Sequence, residues 1–413
     1  MKVLISANAC SPERGSEPKV GWDAVLAISQ HHECWVLTST KFKREIEDRL
    51  ALEPLPNVHF IYHGPDYQWI GHGMTARLQS WLLYHQWQKT VLSEARRLCE
   101  EVTFDVVHHV TLTAWRMPPA LWQLGIPFVW GPVGGTAEVP PQFLKQLSLV
   151  SRCFEVARKF HGALSMRSRS FKRCIRNSSV VVAANDENSK FFHRHYSEAN
   201  IVTLPVVYFS ASRIQELERP TRSEVDAPLR LFAGGTLQGS KGIALAIMAL
   251  AKLRDRGIDF SYTVAGHGPE IGKLQRLVRQ LGLSDRVHIT QPFSGSAYIS
   301  QLHAADVYLM PSFRETTPVT LLEAMLAGCY PVVADASAPG EIVREMGGLA
   351  VACSSVQALI DNMAQALAEI SRKRSDTAVE ASAIAARVAG KYSRASYAAA
   401  IDRTYKLAAV EKQ

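Results

Sequence analysis

The sequence predicts an α/β protein built from two doubly wound, parallel-sheet domains of the Rossmann-like type. Short β-branched and aliphatic runs alternate with amphipathic helical stretches along most of the chain, which is typical of successive β-α-β units. The 413 residues exceed what one hydrophobic core usually serves, because single cores stop growing at roughly 250 to 300 residues. A proline-containing polar segment near the middle interrupts the alternation. We therefore expect two domains of the same class.

The first domain is predicted to span residues 1–205. Its strands are expected at residues 2–6, 34–38, 58–62, 105–109, 127–130 and 179–184. Each run ends in small or polar residues before a helical stretch begins. In open parallel sheets, ligands bind beyond the carboxyl ends of the strands. The loops at these strand ends are therefore where a site is expected.

A linker is predicted over residues 206–228, and the second domain over residues 229–385. The strands of the second domain are expected at residues 229–233, 261–265, 286–290, 306–310 and 330–334. Residues 386–413 predict a C-terminal helix that could pack against either domain, including back on the first. Two such domains facing each other would place strand-end loops on both walls of a central cleft.

Composition excludes several classes of protein. The chain is 47% hydrophobic and 20% charged, as expected of an ordinary globular protein. Seven cysteines are scattered singly, without zinc-ligand spacing, which predicts free thiols and no metal site. No signal-peptide pattern and no apolar run of roughly 18 residues is present. We expect a cytoplasmic protein that is neither exported nor embedded in a membrane.

Positive charge is concentrated in residues 144–176. Nine basic residues against one acid, Glu155, give this stretch a net charge of +8, which equals that of the whole chain. Phe160 and Leu164 lie among these charges, which suits an amphipathic helix at the anionic inner face of the cytoplasmic membrane. A solvated basic helix face is an equally good interpretation. Nucleic acid is not an expected partner, because no reading motif accompanies the charge.

Two glutamates eight residues apart form the most specific motif. Glu315 lies in a loop after a predicted strand, and Glu323 lies in an apolar helix that ends at Gly328. Carboxylates accept two hydroxyls in bidentate fashion. The helix N-terminus beside Thr316 and Thr317 offers backbone N–H groups to a phosphate.

A glycine-rich loop between a predicted strand and helix forms the second motif. It contains Gly235, Thr236 and Lys241, and such a loop brings backbone amides and a lysine to a diphosphate. Gly242 follows the lysine where a Walker loop requires serine or threonine, so a kinase is disfavoured. A third motif, the turn that contains Gly266, is adequately explained as a tight turn.

These motifs resemble those of the retaining glycosyltransferases of family 4 (glycosyl transferases group 1), which have the GT-B fold. Glu315 and Glu323 match the family's Glu-x7-Glu signature, and the glycine-rich loop is similar to its Gly-Arg-Leu-x3-Lys-Gly loop. The resemblance implies that Glu315 contacts the donor sugar, Glu323 the ribose hydroxyls and Lys241 the diphosphate. Thr236 stands where the family commonly has an arginine, so another base such as Arg314 would assist.

Two segments of the first domain extend the resemblance. Gly15 and Ser16 follow the first strand and are similar to the family's N-terminal glycine loop, where the backbone approaches donor phosphates or acceptor. A helix cap by Ser16 is an equally good explanation. His108 and His109 end a strand near the position of the family's histidine beside the reacting sugar carbon. We expect His109 to face the site and His108 to be packed.

The resemblance implies transfer of a hexose from a nucleotide-diphosphate sugar to a glycan or lipid-linked glycan, in polysaccharide or cell-surface glycan biosynthesis. Catalytic roles fall to His109, Glu315 and Lys241. No metal cofactor is expected, because Lys241 and nearby amides would stabilise the leaving diphosphate. The residues expected to bind the donor are Gly15, Ser16, Gly235, Thr236, Lys241, Gly266, Arg314, Glu315, Thr316, Thr317 and Glu323. Two alternatives stay open: a nucleotide-sugar epimerase of the same fold, and a non-catalytic partner subunit.

Overall fold

The computed structural model describes residues 1–64, 74–219 and 228–410. The strands in these ranges are β1 (Lys2–Ala7), β2 (Glu33–Ser39), β3 (Val58–His63), β4 (Val106–Thr111), β5 (Phe128–Val133), β6 (Val180–Ala183), β7 (Ile201–Thr203), β8 (Leu229–Thr236), β9 (Phe260–His267), β10 (Val287–Thr290), β11 (Val307–Met310), β12 (Tyr330–Ala334) and β13 (Leu349–Val351). The α-helices are α1 (Glu17–Ile28), α2 (Lys43–Leu52), α3 (Met74–Glu101), α4 (Leu149–Arg167), α5 (Arg169–Arg176), α6 (Asp186–His195), α7 (Ala211–Leu217), α8 (Ile243–Asp255), α9 (Ile271–Gln280), α10 (Gly295–Ala304), α11 (Val319–Leu326), α12 (Ser337–Met346), α13 (Val356–Arg372), α14 (Arg374–Lys391) and α15 (Arg394–Val410).

The chain divides into two compact units. Unit 1 comprises residues 1–136, 160–208 and 394–413, and unit 2 comprises residues 137–159 and 209–393. Each unit contains one sheet flanked by helices. Each sheet contains a strand that is buried along its whole length, β4 in unit 1 and β12 in unit 2. Such burial explains the nearly continuous apolar runs in the sequence, because helices cover both faces of a parallel sheet.

Both sheets share one strand order. The seven-stranded sheet of unit 1 has the order β3-β2-β1-β4-β5-β6-β7, and the six-stranded sheet of unit 2 has the order β10-β9-β8-β11-β12-β13. Neighbouring strands pair in parallel in both sheets. The order therefore reverses between β1 and β4, and again between β8 and β11. Loops that leave the carboxyl ends at such a reversal form a ligand-binding crevice in this class of fold.

Three features of the domain boundaries differ from those expected from the sequence. Residues 137–159 belong to unit 2, although the first domain was expected to run without interruption to residue 205. The expected linker, 206–228, contains helix α7, which belongs to unit 2. Residues 220–227 lie outside the described part of the chain. The expected helix over 386–413 is divided, because α14 ends at Lys391 and α15 begins at Arg394.

The last helix, α15, is part of unit 1. Its side chains at helical spacing, Tyr397, Ile401, Tyr405 and Ala408, are all buried in the core that also contains β1 and α1. The hydroxyl of Tyr405 lies 2.7 Å from Nδ1 of His108. Nε2 of His108 lies 2.7 Å from the carbonyl oxygen of Gly131, so Nε2 carries the proton and Nδ1 accepts from Tyr405.

Replacing Tyr405 with Phe should lower the free energy of unfolding by about 1–3 kcal/mol, because it leaves the buried Nδ1 of His108 without a donor. Urea denaturation followed by circular dichroism measures the change. Leu407→Ala is the matched control on the same helix, since Leu407 is 40% exposed, and it should change stability by less than about 0.5 kcal/mol. Equal effects of the two substitutions would contradict this assignment.

Candidate functional site

The glycine-rich loop lies at the carboxyl end of β8. Gly235, Thr236 and Lys241 line one small recess at this strand end. Gly235 pairs in register with Gly266 of β9. A Cβ atom at Gly266 would lie 2.0 Å from the carbonyl oxygen of Gly235, so only glycine permits this approach of the two strands. The structure therefore brings these four predicted residues together.

Glu315 lies in the loop after β11 and forms an ion pair with Lys241. The hydroxyl of Ser312 donates to Oε1 of Glu315 at 2.6 Å. The backbone N–H of Glu315 donates to the hydroxyl of Ser337 at 2.9 Å. The predicted sugar-binding carboxylate and the predicted diphosphate lysine are thus in direct contact. Both come from loops at the reversal of strand order in unit 2.

Glu323 lies in α11, eight residues after Glu315, as the sequence predicted. Arg213 of α7 donates to its Oε1 at 2.7 Å, and Tyr298 of α10 donates to its Oε2 at 3.0 Å. Burial raises the pKa of Tyr298, so its hydroxyl stays protonated and donates. Sequence reasoning missed both partners, because Arg213 lay in the expected linker and Tyr298 belongs to no motif.

Arg314 is engaged by a side chain of helix α4. It forms an ion pair with Glu155, which is 4% exposed, and Arg158 donates to the same carboxylate at 3.2 Å. Next to it, Phe313 stacks on Phe143 with ring centroids 4.1 Å apart. The inserted segment 137–159 therefore fixes the loop that carries Glu315. The role of a second diphosphate cation stays a prediction for Arg314.

Thr316 and Thr317 precede helix α11, which begins at Val319 after Pro318. The hydroxyl oxygen of Thr317 is buried and has no hydrogen-bond partner within the described ranges. Buried hydroxyls of this kind are uncommon in proteins, and an unmet one costs about 1–3 kcal/mol. The Thr317 hydroxyl is thus a polar group beside the start of α11 that could form a hydrogen bond with a ligand.

In unit 1, the loop after β1 differs from the helix cap considered for Ser16. Ser16 has a φ of 61°, and its side chain makes no capping hydrogen bond to α1. A serine caps a helix only from an extended conformation, so the capping interpretation is wrong. Together with Ser337 beside Glu315, Ser16 makes up the non-glycine residues of positive φ in the described chain. Strained backbone of this kind is common at binding sites.

Glu17 follows Ser16 and was not among the site residues predicted from the sequence. Its carboxylate accepts the backbone N–H of Thr113 at 2.6 Å, across the reversal between β1 and β4. Burial raises the pKa of Glu17. The acid at the second position after Gly15 was the signal that could have singled it out.

The expectation that His109 faces the site is wrong, because both histidines are packed inside unit 1. His109 is 1% exposed, with Nδ1 2.8 Å from the hydroxyl of Ser6 and Nε2 3.2 Å from that of Tyr84. Burial lowers the pKa of His108 to about 4 and of His109 to about 3. His109 therefore contacts Tyr84, and its catalytic role stays a prediction.

Tyr84 lines a cavity in the described part of unit 1. This cavity encloses about 560 Å³. Gly15 and Glu17 also line it, so the loop after β1 borders it as well. Among the described helices, none is long and apolar enough to cross a membrane.

The sequence of unit 2 matches a known family. Residues 214–382 match the family described as glycosyl transferases group 1. A 2-deoxystreptamine glucosyltransferase of Streptomyces kanamyceticus is 32% identical over 144 residues, which are 33% of this chain and 37% of that protein. A putative colanic acid biosynthesis glycosyltransferase, WcaL of Salmonella typhimurium, is 28% identical over 281 residues, which are 62% of this chain and 65% of WcaL. The chain thus spans less than two thirds of the length of these relatives.

Solved structures match nearly the whole chain. Sucrose-phosphate synthase of Thermosynechococcus elongatus superposes with a TM-score of 0.64, at 14% identity, over 98% of both chains. HepE of Anabaena, solved in complex with UDP, superposes with a TM-score of 0.62, at 16% identity, over 98% of this chain and all (100%) of HepE. These similarities confirm the GT-B fold class that the sequence predicted.

Protonation of the buried histidines should make the protein less stable in acid. Their folded-state pKa values lie below about 6.5, the value of an unfolded histidine. The stability that these neutral histidines contribute is therefore fully present above that pH and is lost as the pH falls toward 4. Urea denaturation from about pH 7.5 to about pH 5 should show this loss, and His109→Gln should reduce the slope by about 1 kcal/mol per pH unit. An unchanged slope in the variant would contradict the burial of a neutral His109.

Proposed function

We propose that the protein is a retaining glycosyltransferase that moves a hexose from a nucleotide-diphosphate sugar to a glycan or lipid-linked glycan. The observation that carries the proposal is the direct contact of Lys241 with Glu315 beside the glycine pair, at the reversal of strand order in unit 2. The family match over residues 214–382 supports it. Relatives named for colanic acid and amylovoran biosynthesis support a role in polysaccharide assembly.

The donor is proposed to bind unit 2 through three groups. The amides of the glycine-rich loop and the ammonium of Lys241 hold the diphosphate. Glu315 accepts hydroxyls of the sugar, and Glu323 accepts those of the ribose. Arg213 and Tyr298 fix the orientation of the Glu323 carboxylate, whose oxygens keep further lone pairs for hydroxyl donors. The unpaired hydroxyl of Thr317 is available to the same ligand.

Transfer is proposed to take place on one face of the sugar. The bond from the anomeric carbon to the diphosphate oxygen breaks, and its electron pair leaves with the diphosphate. The acceptor oxygen forms the new bond, and its proton passes to the departing diphosphate. Lys241 stabilises the charge that develops there, which a metal ion does in other enzymes. Glu315 is held by Lys241 and Ser312, and this favours an orienting role over that of a covalent nucleophile.

Removing the charge of Lys241 should lower kcat by about 10²- to 10³-fold, because the leaving group loses its cation. The measurement is release of nucleoside diphosphate from a panel of donors, begun with UDP-sugars because HepE was solved with UDP. Lys241→Gln is compared with Lys252→Gln, whose lysine pairs with Asp361 on α13. The control should retain full activity, and addition of EDTA should leave the wild-type rate unchanged.

Nucleotide binding is measured separately by thermal shift. A nucleotide that binds the folded state raises the midpoint, and Glu323→Ala should abolish that shift. Release of nucleotide with interconversion of the donor sugar, without transfer, would instead indicate an epimerase. Absence of a shift with every nucleotide would overturn the donor site and leave the non-catalytic partner subunit.

We further propose that the protein works at the inner face of a cytoplasmic membrane, held by helix α4. Leu149, Val156, Phe160 and Leu164, here called the α4 stripe, lie at spacings of seven, four and four residues, which place them on one helix face. Their exposed fractions are 75%, 67%, 66% and 51%. A solvated basic helix would not need such a stripe, whereas basic residues beside exposed apolar ones suit anionic lipid.

Substitution within the α4 stripe should release the protein from vesicles. Insertion of one Phe side chain contributes about 1.5–3 kcal/mol, so Phe160→Asp should weaken binding at least about tenfold. Sedimentation with phosphatidylserine-containing and neutral vesicles, at low and high salt, measures this. Val379→Asp, at a site on α14 that is 73% exposed, is the matched control and should bind as the wild type does. Equal vesicle binding by the two variants would contradict the proposal.

A further inference from the structure

The cavity of unit 1 lies where the topology places a ligand. Ser39 at the carboxyl end of β2, and Ala9 and Gly64 in the loops that follow β1 and β3, contribute to its lining. Helix α3 contributes Tyr84 and Trp87. Its volume of about 560 Å³ is in the range of cavities that enclose most of a small ligand. The residues through which unit 2 is proposed to hold the donor do not line this cavity.

The walls of the cavity are mainly apolar. Phe42, Leu83, Trp87 and Leu112 line it, and Phe42 and Trp87 are 5% and 6% exposed. A free sugar needs a hydrogen-bond partner for nearly every hydroxyl that it buries, because an unmet one costs free energy. Walls of this kind instead favour a hydrocarbon group, because transfer of apolar surface from water into an apolar cavity is favourable. The bound part of the ligand is therefore apolar.

Cationic groups border the same cavity. The guanidinium of Arg14 lies 5.3 Å from the centre of the Phe42 ring, and the ammonium of Lys41 lies 5.6 Å from it. Both residues line the cavity. Arg14 also pairs with Glu45, which keeps its guanidinium in place. Cations beside an apolar cavity suit a ligand that joins hydrocarbon to a phosphate.

Two further groups fit such a ligand. Glu17, which also lines the cavity, has a pKa raised by burial, and its carboxyl group is engaged by the backbone N–H of Thr113. The indole N–H of Trp87 is buried without a hydrogen-bond acceptor in the described chain. A ligand with polar atoms near its hydrocarbon could satisfy such a donor.

We propose that this cavity binds the acceptor, and that the acceptor carries its glycan on a phosphorylated hydrocarbon chain. The chain occupies the space between Phe42, Leu83 and Trp87, and the phosphate lies beside Arg14 and Lys41. This inference names the acceptor class within the proposed function and therefore rests on it. The cavity belongs to unit 1, whereas the proposed donor residues belong to unit 2, so the two sites can be tested apart.

Isothermal titration of the full chain with n-alkyl phosphates, below their micelle concentrations, tests the proposal. Affinity should rise by up to about fourfold for each added methylene until the cavity is full, because each buried methylene contributes a constant increment. Octanol, inorganic phosphate and methyl glucoside each lack one or both parts of the ligand. Each should bind at least about tenfold more weakly than octyl phosphate, as expected when a charge-assisted contact or the chain is lost.

Matched substitutions identify the cavity as the place of binding. Leu83→Asp puts a charge into the wall, whereas Leu82→Asp changes the neighbouring residue, which is 54% exposed and does not line the cavity. Lys41→Glu and Lys43→Glu form the second pair, since Lys43 does not line the cavity. Only Leu83→Asp and Lys41→Glu should weaken binding of octyl phosphate, by about tenfold or more. Phe160→Asp should leave it unchanged, which separates the cavity from the α4 stripe.

The outcomes separate this inference from the donor site. Octyl phosphate that fails to bind, or that binds Leu83→Asp as well as Leu82→Asp, overturns the inference. Methyl glucoside that binds more tightly than octyl phosphate also overturns it, in favour of a free glycan acceptor. A thermal shift with nucleotide in the same preparations shows that the donor site is intact, and its absence would count against the proposed function itself.

Discussion

A reversal of strand order in each parallel sheet determines where the chemistry of this protein can be. At β8 and β11, neighbouring strands are far apart in sequence, and the loops that follow them leave toward different helices. Side chains at the two strand ends are therefore brought together by the sheet itself. The contact between Lys241 and Glu315, which are 74 residues apart, follows directly from this arrangement. In unit 1, the hydrogen bond from the backbone N–H of Thr113 to Glu17 spans the reversal between β1 and β4 in the same way.

Much of the fold was predictable, because strands buried on both faces are apolar along their whole length. The strands that the sequence did not predict, β7 and β13, are short runs of three residues at sheet edges. The assignment of residues 137–159 to unit 2 was also missed. That segment is placed by contacts such as the ion pair of Glu155 with Arg314 and the stacking of Phe143 on Phe313, and no local pattern encodes them.

The candidate site was likewise predictable only in part. The positions of Glu315 and Glu323 follow from their spacing across one loop and one helix, and the structure has them there. Arg213 and Tyr298 reach Glu323 from elements that carry no motif, so only the folded chain identifies them. The error over His109 has a physical reason. A strand of six buried residues gives no alternation from which the direction of a side chain could be deduced.

The pairing of Lys241 with Glu315 also bears on which anions the protein ignores. Lys241 is already paired, so a free phosphate would have to displace the Glu315 carboxylate from it. That would leave the carboxylate partly buried without a partner, which costs free energy. A sugar nucleotide differs, because it offers a diphosphate to the lysine and hydroxyls to the glutamate together. At the proposed donor site, the ion pair would therefore select against inorganic phosphate without any group that repels it.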